Sequence, residues 1–103
     1  MLYHVKAKYI EEKLSEFYSL LTSGEVEKLH TAGSSIVKAM LEDAVETEPG
    51  TIEWTEKCFC ETPLELERDL VFDTFLTDME TAPVEDSLNF SGTPFSEILK
   101  KNA

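Results

Sequence analysis

The sequence is poor in positive charge. Only nine of its 103 residues are Lys or Arg, against 21 Asp or Glu, which gives a formal net charge of −12. This excess of negative charge argues against direct binding to nucleic-acid phosphates or to an anionic membrane surface. Long apolar runs are also missing, since none approaches the roughly 20 residues that span a bilayer. The first residues carry no basic segment followed by an apolar stretch, so a cytoplasmic location is expected.

Common functional motifs are missing as well. The chain has no G-x-G-x-x-G, P-loop, G-x-S-x-G, H-E-x-x-H or EF-hand pattern, which argues against the usual nucleotide, hydrolase and calcium sites. Its two cysteines, Cys58 and Cys60, are one residue apart on a predicted strand, where a disulfide between them would be strained. Their spacing fits neither a zinc site nor a redox pair. We therefore predict free thiols, no metal and no cofactor.

What the chain does contain is typical of a folded domain, with 42% hydrophobic and 29% charged residues. We predict one domain over residues 1–86 and a tail over 87–103 that packs on this domain or on a partner subunit. The acidity is concentrated in residues 42–86, which hold 15 of the acidic residues against Lys57 and Arg68. A solvated acidic surface accounts for this charge, and an acidic effector or nucleic-acid mimic that binds a basic protein partner is the alternative.

The apolar spacing predicts the main elements. Residues 2–9 alternate as a half-buried strand does, and residues 11–21 repeat their apolar positions at intervals of three and four, as a helix does. The further expectations are a strand over 51–60, a helix over 64–79, an edge strand over 81–84 and a short helix after Pro94. Residues 34–45 fit either a helix or a strand, and the Pro49-Gly50 turn before the next strand favours a hairpin.

With the hairpin, the element order is βαββαβ, the ferredoxin-like arrangement of an antiparallel sheet with helices on one face. The other face must then be covered, and a second copy of the chain is the expected cover. The opening Met1-Leu2-Tyr3-His4-Val5-Lys6, together with this element order, resembles the first strand of the dimeric α+β barrel superfamily. The resemblance implies two facing sheets with clefts between sheet and helices, and thus a homodimer; it carries over no catalytic residue.

Three polar residues break their local pattern and are candidate ligand-binding residues. Arg68 is four residues from both Leu64 and Phe72, in the middle of an apolar helical stripe. Glu56 shares a strand face with apolar residues, and His4 lies on the more polar side of the first strand. A buried guanidinium needs a carboxylate or a bound anion. Arg68 therefore pairs with Glu56 or another carboxylate, reaches solvent along its apolar stem, or holds an anionic ligand with Glu56 or His4 as proton acceptor.

Four apolar residues are candidates for an interface between subunits. The single tryptophan, Trp54, would anchor such an interface if a second sheet covers its face. Leu66 and Leu70 lie roughly opposite the main stripe of their predicted helix, and Phe95 anchors the tail. The leading hypothesis is a self-associating binding or interaction module without catalysis. The alternatives are a ligand-binding protein or enzyme with an anion on Arg68, and the acidic effector.

Overall fold

The computed structural model describes residues 2–29, 33–57, 64 and 67–103, and the protein belongs to the α+β class. The strands are β1 (Leu2–Tyr9), β2 (Val45–Glu48), β3 (Thr51–Lys57), β4 (Leu76–Val84) and β5 (Thr93–Pro94). The helices are α1 (Leu14–Thr22), preceded by a 3-10 turn (Glu11–Lys13), then α2 (Glu25–Leu29), α3 (Gly33–Lys38), α4 (Asp73–Phe75) and α5 (Phe95–Lys101). Two segments are π-helical: the first π turn (Ala39–Asp43) follows α3, and the second π turn (Arg68–Phe72) precedes α4.

The five strands form one antiparallel sheet in the order β4-β1-β3-β2-β5. The long central pair joins β1 to β3, with Val5 opposite Trp54 and His4 opposite Thr55. The edge strand β4 pairs with β1 and carries a bulge where Asp78 takes a positive φ of 52°. A bulge of this kind interrupts the regular edge of a strand and discourages pairing with another chain.

The two faces of the sheet differ in character. One face, here called the covered face, presents Tyr3, Val5, Ala7, Ile52 and Trp54, all buried under the helices. Aromatic rings link the layers: Trp54 meets Phe72 edge to face at 5.5 Å between ring centroids. The opposite face, here called the open face, presents His4, Lys6, Glu53 and Thr55 on the two central strands, none of them fully buried. Alternation along each strand separates the two sets.

Of the two alternatives for residues 34–45, the structure contains the helix, over residues 33–43, and the favoured strand is wrong because β2 begins only at Val45. The helix ends where the Ala44 amide donates to the Ala39 carbonyl at 2.8 Å, closing the first π turn. The Ala44 carbonyl then accepts from the Phe95 amide at 2.9 Å. The predicted hairpin around Pro49-Gly50 does form, between β2 and β3.

The predicted helix over residues 64–79 is also too long, since α4 ends at Phe75 and β4 begins at Leu76. At this point the Phe75 carbonyl accepts from the Ile10 amide at 3.1 Å, and Leu76 pairs with Tyr9 of β1. Pairing with β1 over nine residues thus overrides the helical periodicity that extends to Met79. Long-range contacts commonly override local preference in this way.

The tail packs on the chain's own body. β5 adds to β2, and α5 buries Phe95 and Leu99 completely in the common core. Residues 85–92, here called the strap, lead from the β4 edge of the sheet to β5 at the other edge. The strap ends at Gly92, where a Cβ atom would overlap the Glu46 carbonyl oxygen and φ is 151°. Only glycine tolerates both conditions.

Candidate functional site

A cavity of about 670 Å³ opens between the first π turn, the end of β3 and the strap. Its apolar lining comes from Leu2, Ala39, Val45, Leu88 and Phe90. The polar lining comes from Ser35, Lys38, Glu42, Asp43, Thr55, Glu56, Lys57, Ser87 and Asn89. A volume of this size lies within the range of roughly 300–1,000 Å³ that small-molecule sites occupy.

The cavity exists because β2 is shorter than β3. Pairing between the two strands ends at Val45 opposite Glu53, so the last four residues of β3 pair with β1 on one side and have no partner strand on the other side among the described residues. The first π turn lies beside this part of β3 but, as a helical turn, cannot continue the ladder. Wide helical turns of this type are frequent at functional sites.

Glu56 is the most unusual residue in this lining. It lies on the covered face of β3 with 7% of its surface exposed. The indole Nε1 of Trp54 donates to its Oε1 at 3.1 Å, whereas its Oε2 has no hydrogen-bond partner within the described parts of the chain. Burial, with a contribution from the charges of Glu67 and Asp43, raises the pKa of Glu56 to about 8. This carboxyl group is therefore mostly protonated at neutral pH.

The charged neighbours of Glu56 are mainly acidic. Lys38 donates to both carboxylate oxygens of Asp43, at 2.9 and 3.2 Å, and this hydrogen bond raises the pKa of Lys38. Glu67, 5% exposed, also has an oxygen atom, Oε2, that lacks a partner among the residues described. Of the two lysines in the lining, Lys38 is thus already paired with a carboxylate, and Lys57, which follows Glu56 on β3, is exposed on the open face.

His4 lies on the open face, under the strap. Its Nε2 is 2.8 Å from Oε1 of Glu53, and its ring stacks on Phe90 with centroids 5.2 Å apart. The hydroxyl group of Thr47 donates to the other oxygen of Glu53. His4 therefore helps to position the strap, and through Phe90 it supports one wall of the cavity.

The structure separates the three predicted ligand-binding residues. Glu56 lines the cavity, but His4 projects from the opposite face of the sheet, and Arg68 lies on the surface. The Arg68 side chain is 40% exposed, and its Nε donates to Oδ1 of Asp73 at 3.2 Å. This ion pair agrees with the alternative in which Arg68 pairs with a carboxylate, and the carboxylate is that of Asp73, not that of Glu56. Arg68 lines neither the cavity beside Glu56 nor the depression at the β4 bulge.

The predicted interface residues also lie in different places. Trp54 and Phe95 are completely buried in the chain's own core, so neither presents a surface to a second copy. Leu70 is partly buried and packs against this core. Leu66, Cys58 and Cys60 lie outside the described residues.

Sequence reasoning missed Lys38 and Asp43, whose charges act on Glu56, and Phe90, which lines the cavity from the strap. Lys38 and Asp43 are five residues apart in the sequence. Side chains at this spacing meet in a π turn, and not in a regular α-helix. Phe90 carried no local signal, because its role depends on the path of the strap across the sheet.

A second, shallower depression of about 420 Å³ lies at the β4 bulge, beside Lys8 and Asp78. The two side chains form an exposed ion pair at 3.8 Å, which contributes little to stability or binding. The larger cavity, with its buried carboxyl group, is the candidate site.

In the described part of the chain, no three potential ligand side chains converge on a metal position. No helix found there is long and apolar enough to cross a membrane. No protein-family model matches the sequence, and neither the curated proteins nor the solved structures include a significant match.

Proposed function

We propose that the protein binds a small organic molecule in the cavity beside Glu56 and acts through this binding, without catalysis. The observation that carries the proposal is a buried carboxyl group at the wall of a 670 Å³ cavity, with one oxygen that has no hydrogen-bond partner among the described residues. An unsatisfied buried polar atom costs about 1–3 kcal/mol. A ligand that donates a hydrogen bond to this oxygen would recover part of that cost.

This proposal differs from an anion site on Arg68. An anion site there would need a buried guanidinium without a carboxylate partner. The Arg68 side chain is instead 40% exposed and paired with Asp73. The mixture of apolar side chains with a few polar groups in the Glu56 cavity is typical of ligand sites.

The test is a fragment screen by two-dimensional amide NMR on the full chain. Its library holds equal numbers of amines, carboxylic acids and neutral amides. We expect shifts concentrated at Ala39, Thr55, Glu56 and the strap. A Ser35→Trp variant, which places an indole at the cavity mouth, should abolish them. Ser34→Trp is the matched control, because Ser34 is exposed but does not line the cavity.

Shifts spread over the whole surface, or shifts unaffected by Ser35→Trp, would contradict the proposal. So would a screen without any fragment that perturbs the cavity residues. Both tryptophan variants are first checked for the wild-type amide spectrum outside helix α3, because only a folded protein makes the comparison meaningful.

We further propose that the fold is ferredoxin-like. The strand order β4-β1-β3-β2, antiparallel throughout, supports this assignment, as do the helical connections from β1 to β2 and toward β4. The homodimer of the dimeric α+β barrel type stays a prediction. Its test is light scattering across a concentration series: a strict monomer would contradict it. A cytoplasmic location likewise stays a prediction.

The prediction of a basic protein partner has less support. The acidic residues of segment 42–86 do not line one surface: Glu53 and Glu80 face the open side, Asp69 and Asp73 belong to the helical side, and Glu56 is buried. An electrostatic mimic of nucleic acid needs its charges on one face.

A further inference from the structure

We infer, on the basis of the proposed function, that the molecule bound in the cavity is a small organic ammonium ion with an apolar body, held by the Glu56 carboxylate. The inference rests on the charge of the cavity lining, on the geometry of the Glu56 carboxyl group and on the apolar surface that Leu88 and Phe90 of the strap provide.

The charge of the lining is balanced only while Glu56 is neutral. Its other ionic groups are two lysines, Lys38 and Lys57, and two carboxylates, Glu42 and Asp43, whose charges cancel. An ionised Glu56 would add one uncompensated negative charge, and the buried Glu67 nearby makes that charge less favourable still. A monovalent cation is the ligand that restores the balance.

Lys38 does not supply this cation. Its ammonium nitrogen is bonded to both oxygens of Asp43, and its side chain is 61% exposed. An anionic ligand is disfavoured for a different reason, because the chain as a whole carries a charge of −12 and repels it.

The geometry of Glu56 leaves one oxygen for a donor. Trp54 holds Oε1, which fixes the plane of the carboxyl group, and Oε2 has no partner among the described residues. An ammonium group at hydrogen-bond distance from Oε2 would form a charge-assisted bond with an ionised carboxylate. Leu88, itself 42% exposed, and Phe90 provide apolar surface at the strap wall for the rest of the molecule.

Binding must then release a proton. In the free protein Glu56 has a pKa of about 8, so about nine-tenths of the molecules carry its proton at pH 7. A bound ammonium ion favours the carboxylate and lowers this pKa. The proton leaves Oε1 or Oε2 for the buffer, the ligand keeps its own, and each binding event releases up to about 0.9 proton at pH 7.

The experiment is isothermal titration calorimetry of the full chain at pH 7, in phosphate and in HEPES, whose ionisation enthalpies differ. The probes are 2-phenylethylamine, phenylacetate and phenylacetamide, which share a ring and differ in charge. We expect only the amine to bind with a heat that depends on the buffer and corresponds to release of nearly one proton. Glu56→Gln should weaken amine binding at least tenfold and remove the proton release. Glu80→Gln, an exposed position of β4 outside the lining of the cavity, should change neither.

Equal or tighter binding of phenylacetate or phenylacetamide would overturn the inference, as would amine binding without proton release. Absence of amine binding at millimolar concentration would also overturn it. The proposed function is judged separately by the fragment screen, because acids or amides that shift the cavity residues would support a ligand site while excluding an ammonium ligand.

Discussion

Two glutamates of β3, three residues apart, lie in opposite environments. Glu53 projects from the open face, where Thr47 and His4 each occupy one of its oxygens. Glu56 projects from the covered face, where Trp54 is its one hydrogen-bond partner in the described part of the chain. An odd spacing along a strand places side chains on opposite faces, so one strand exposes the same chemical group to two different surroundings.

Their pKa values move in opposite directions. Partial burial favours a higher pKa for Glu53, but the hydrogen bonds from Thr47 and His4 and the charges of His4 and Lys6 outweigh it and lower the pKa. Burial dominates at Glu56 and raises the pKa to about 8. Burial and the hydrogen-bond partners together therefore decide which of the two carboxylates is ionised in this sheet.

The largest loss of stability is expected from Trp54→Ala, a change on the covered face of the sheet. This change removes a completely buried side chain on the covered face together with the indole donor to Glu56. We expect a loss of about 3–5 kcal/mol in the free energy of unfolding. The measurement is urea denaturation followed by circular dichroism.

Its control is the neighbouring Thr55→Ala, a change on the open face that should cost less than about 1 kcal/mol. Similar losses for both variants would contradict the distinction between the two faces.

The next largest effect is expected from Glu56→Gln. Because the folded-state pKa of Glu56 is raised, its contribution to stability is complete below the unfolded value of 4.5 and is lost as the pH rises to about 8. At pH 7 this loss amounts to about 3 kcal/mol. Gln keeps the shape and the acceptor for Trp54, so the variant should lose this pH dependence and become more stable than wild type at pH 7.

Urea midpoints measured from pH 4.5 to pH 8 test this expectation. A wild-type stability that is flat over this range, or a variant with the same slope as wild type, would show that Glu56 is not held in its neutral form.

A smaller effect of the opposite sign is expected from Glu53→Gln. The lowered pKa of Glu53 means that its contribution is present above 4.5 and is lost as the pH falls through the folded-state value. Removing the charge should cost about 1 kcal/mol at pH 6, through the weaker bonds to His4 and Thr47. The difference from wild type should shrink as the pH falls below 4. Chemical denaturation at pH 3 and pH 6 measures it, and a larger difference at pH 3 would contradict the assignment.

The smallest effect is expected from Arg68→Gln. An exposed ion pair such as that of Arg68 with Asp73 contributes about 0.2–1 kcal/mol. We therefore expect a loss of no more than this amount, reduced further in high salt. Asp73→Asn is the matched control and should give a similar value. A loss of several kcal/mol would mean that Arg68 has a buried role after all.

Much of the framework could be predicted from local pattern. The alternation after Leu2 predicted β1, the apolar spacing after Glu11 predicted α1, and the β-branched and aromatic run after Thr51 predicted β3, all of which the structure contains. Glu56 could be singled out from the sequence, because a carboxyl group on an apolar strand face conflicts with its neighbours wherever the strand is placed. Its role as a ligand-binding residue stays a prediction.

Arg68 shows where such reasoning fails. A spacing of four places Arg68 on one face with Leu64 and Phe72 only in a regular helix of 3.6 residues per turn. The second π turn begins at Arg68 and is wider, so the same spacing no longer returns to the same face. Local periodicity does not reveal where a helix widens.

The sequence by itself determined the α+β composition, the central strands, the acidic charge and the conflict at Glu56, since these depend on side-chain chemistry and on contacts within a few residues. Tertiary structure decided where the helices stop and where the cavity opens. Pairing with Ile10 and Tyr9 ends the helical segment at Phe75, and the bond from Phe95 to Ala44 fixes the start of β2. These partners are distant in the chain, and hydrogen bonds to them compete successfully with continued helix because every buried backbone group must be paired.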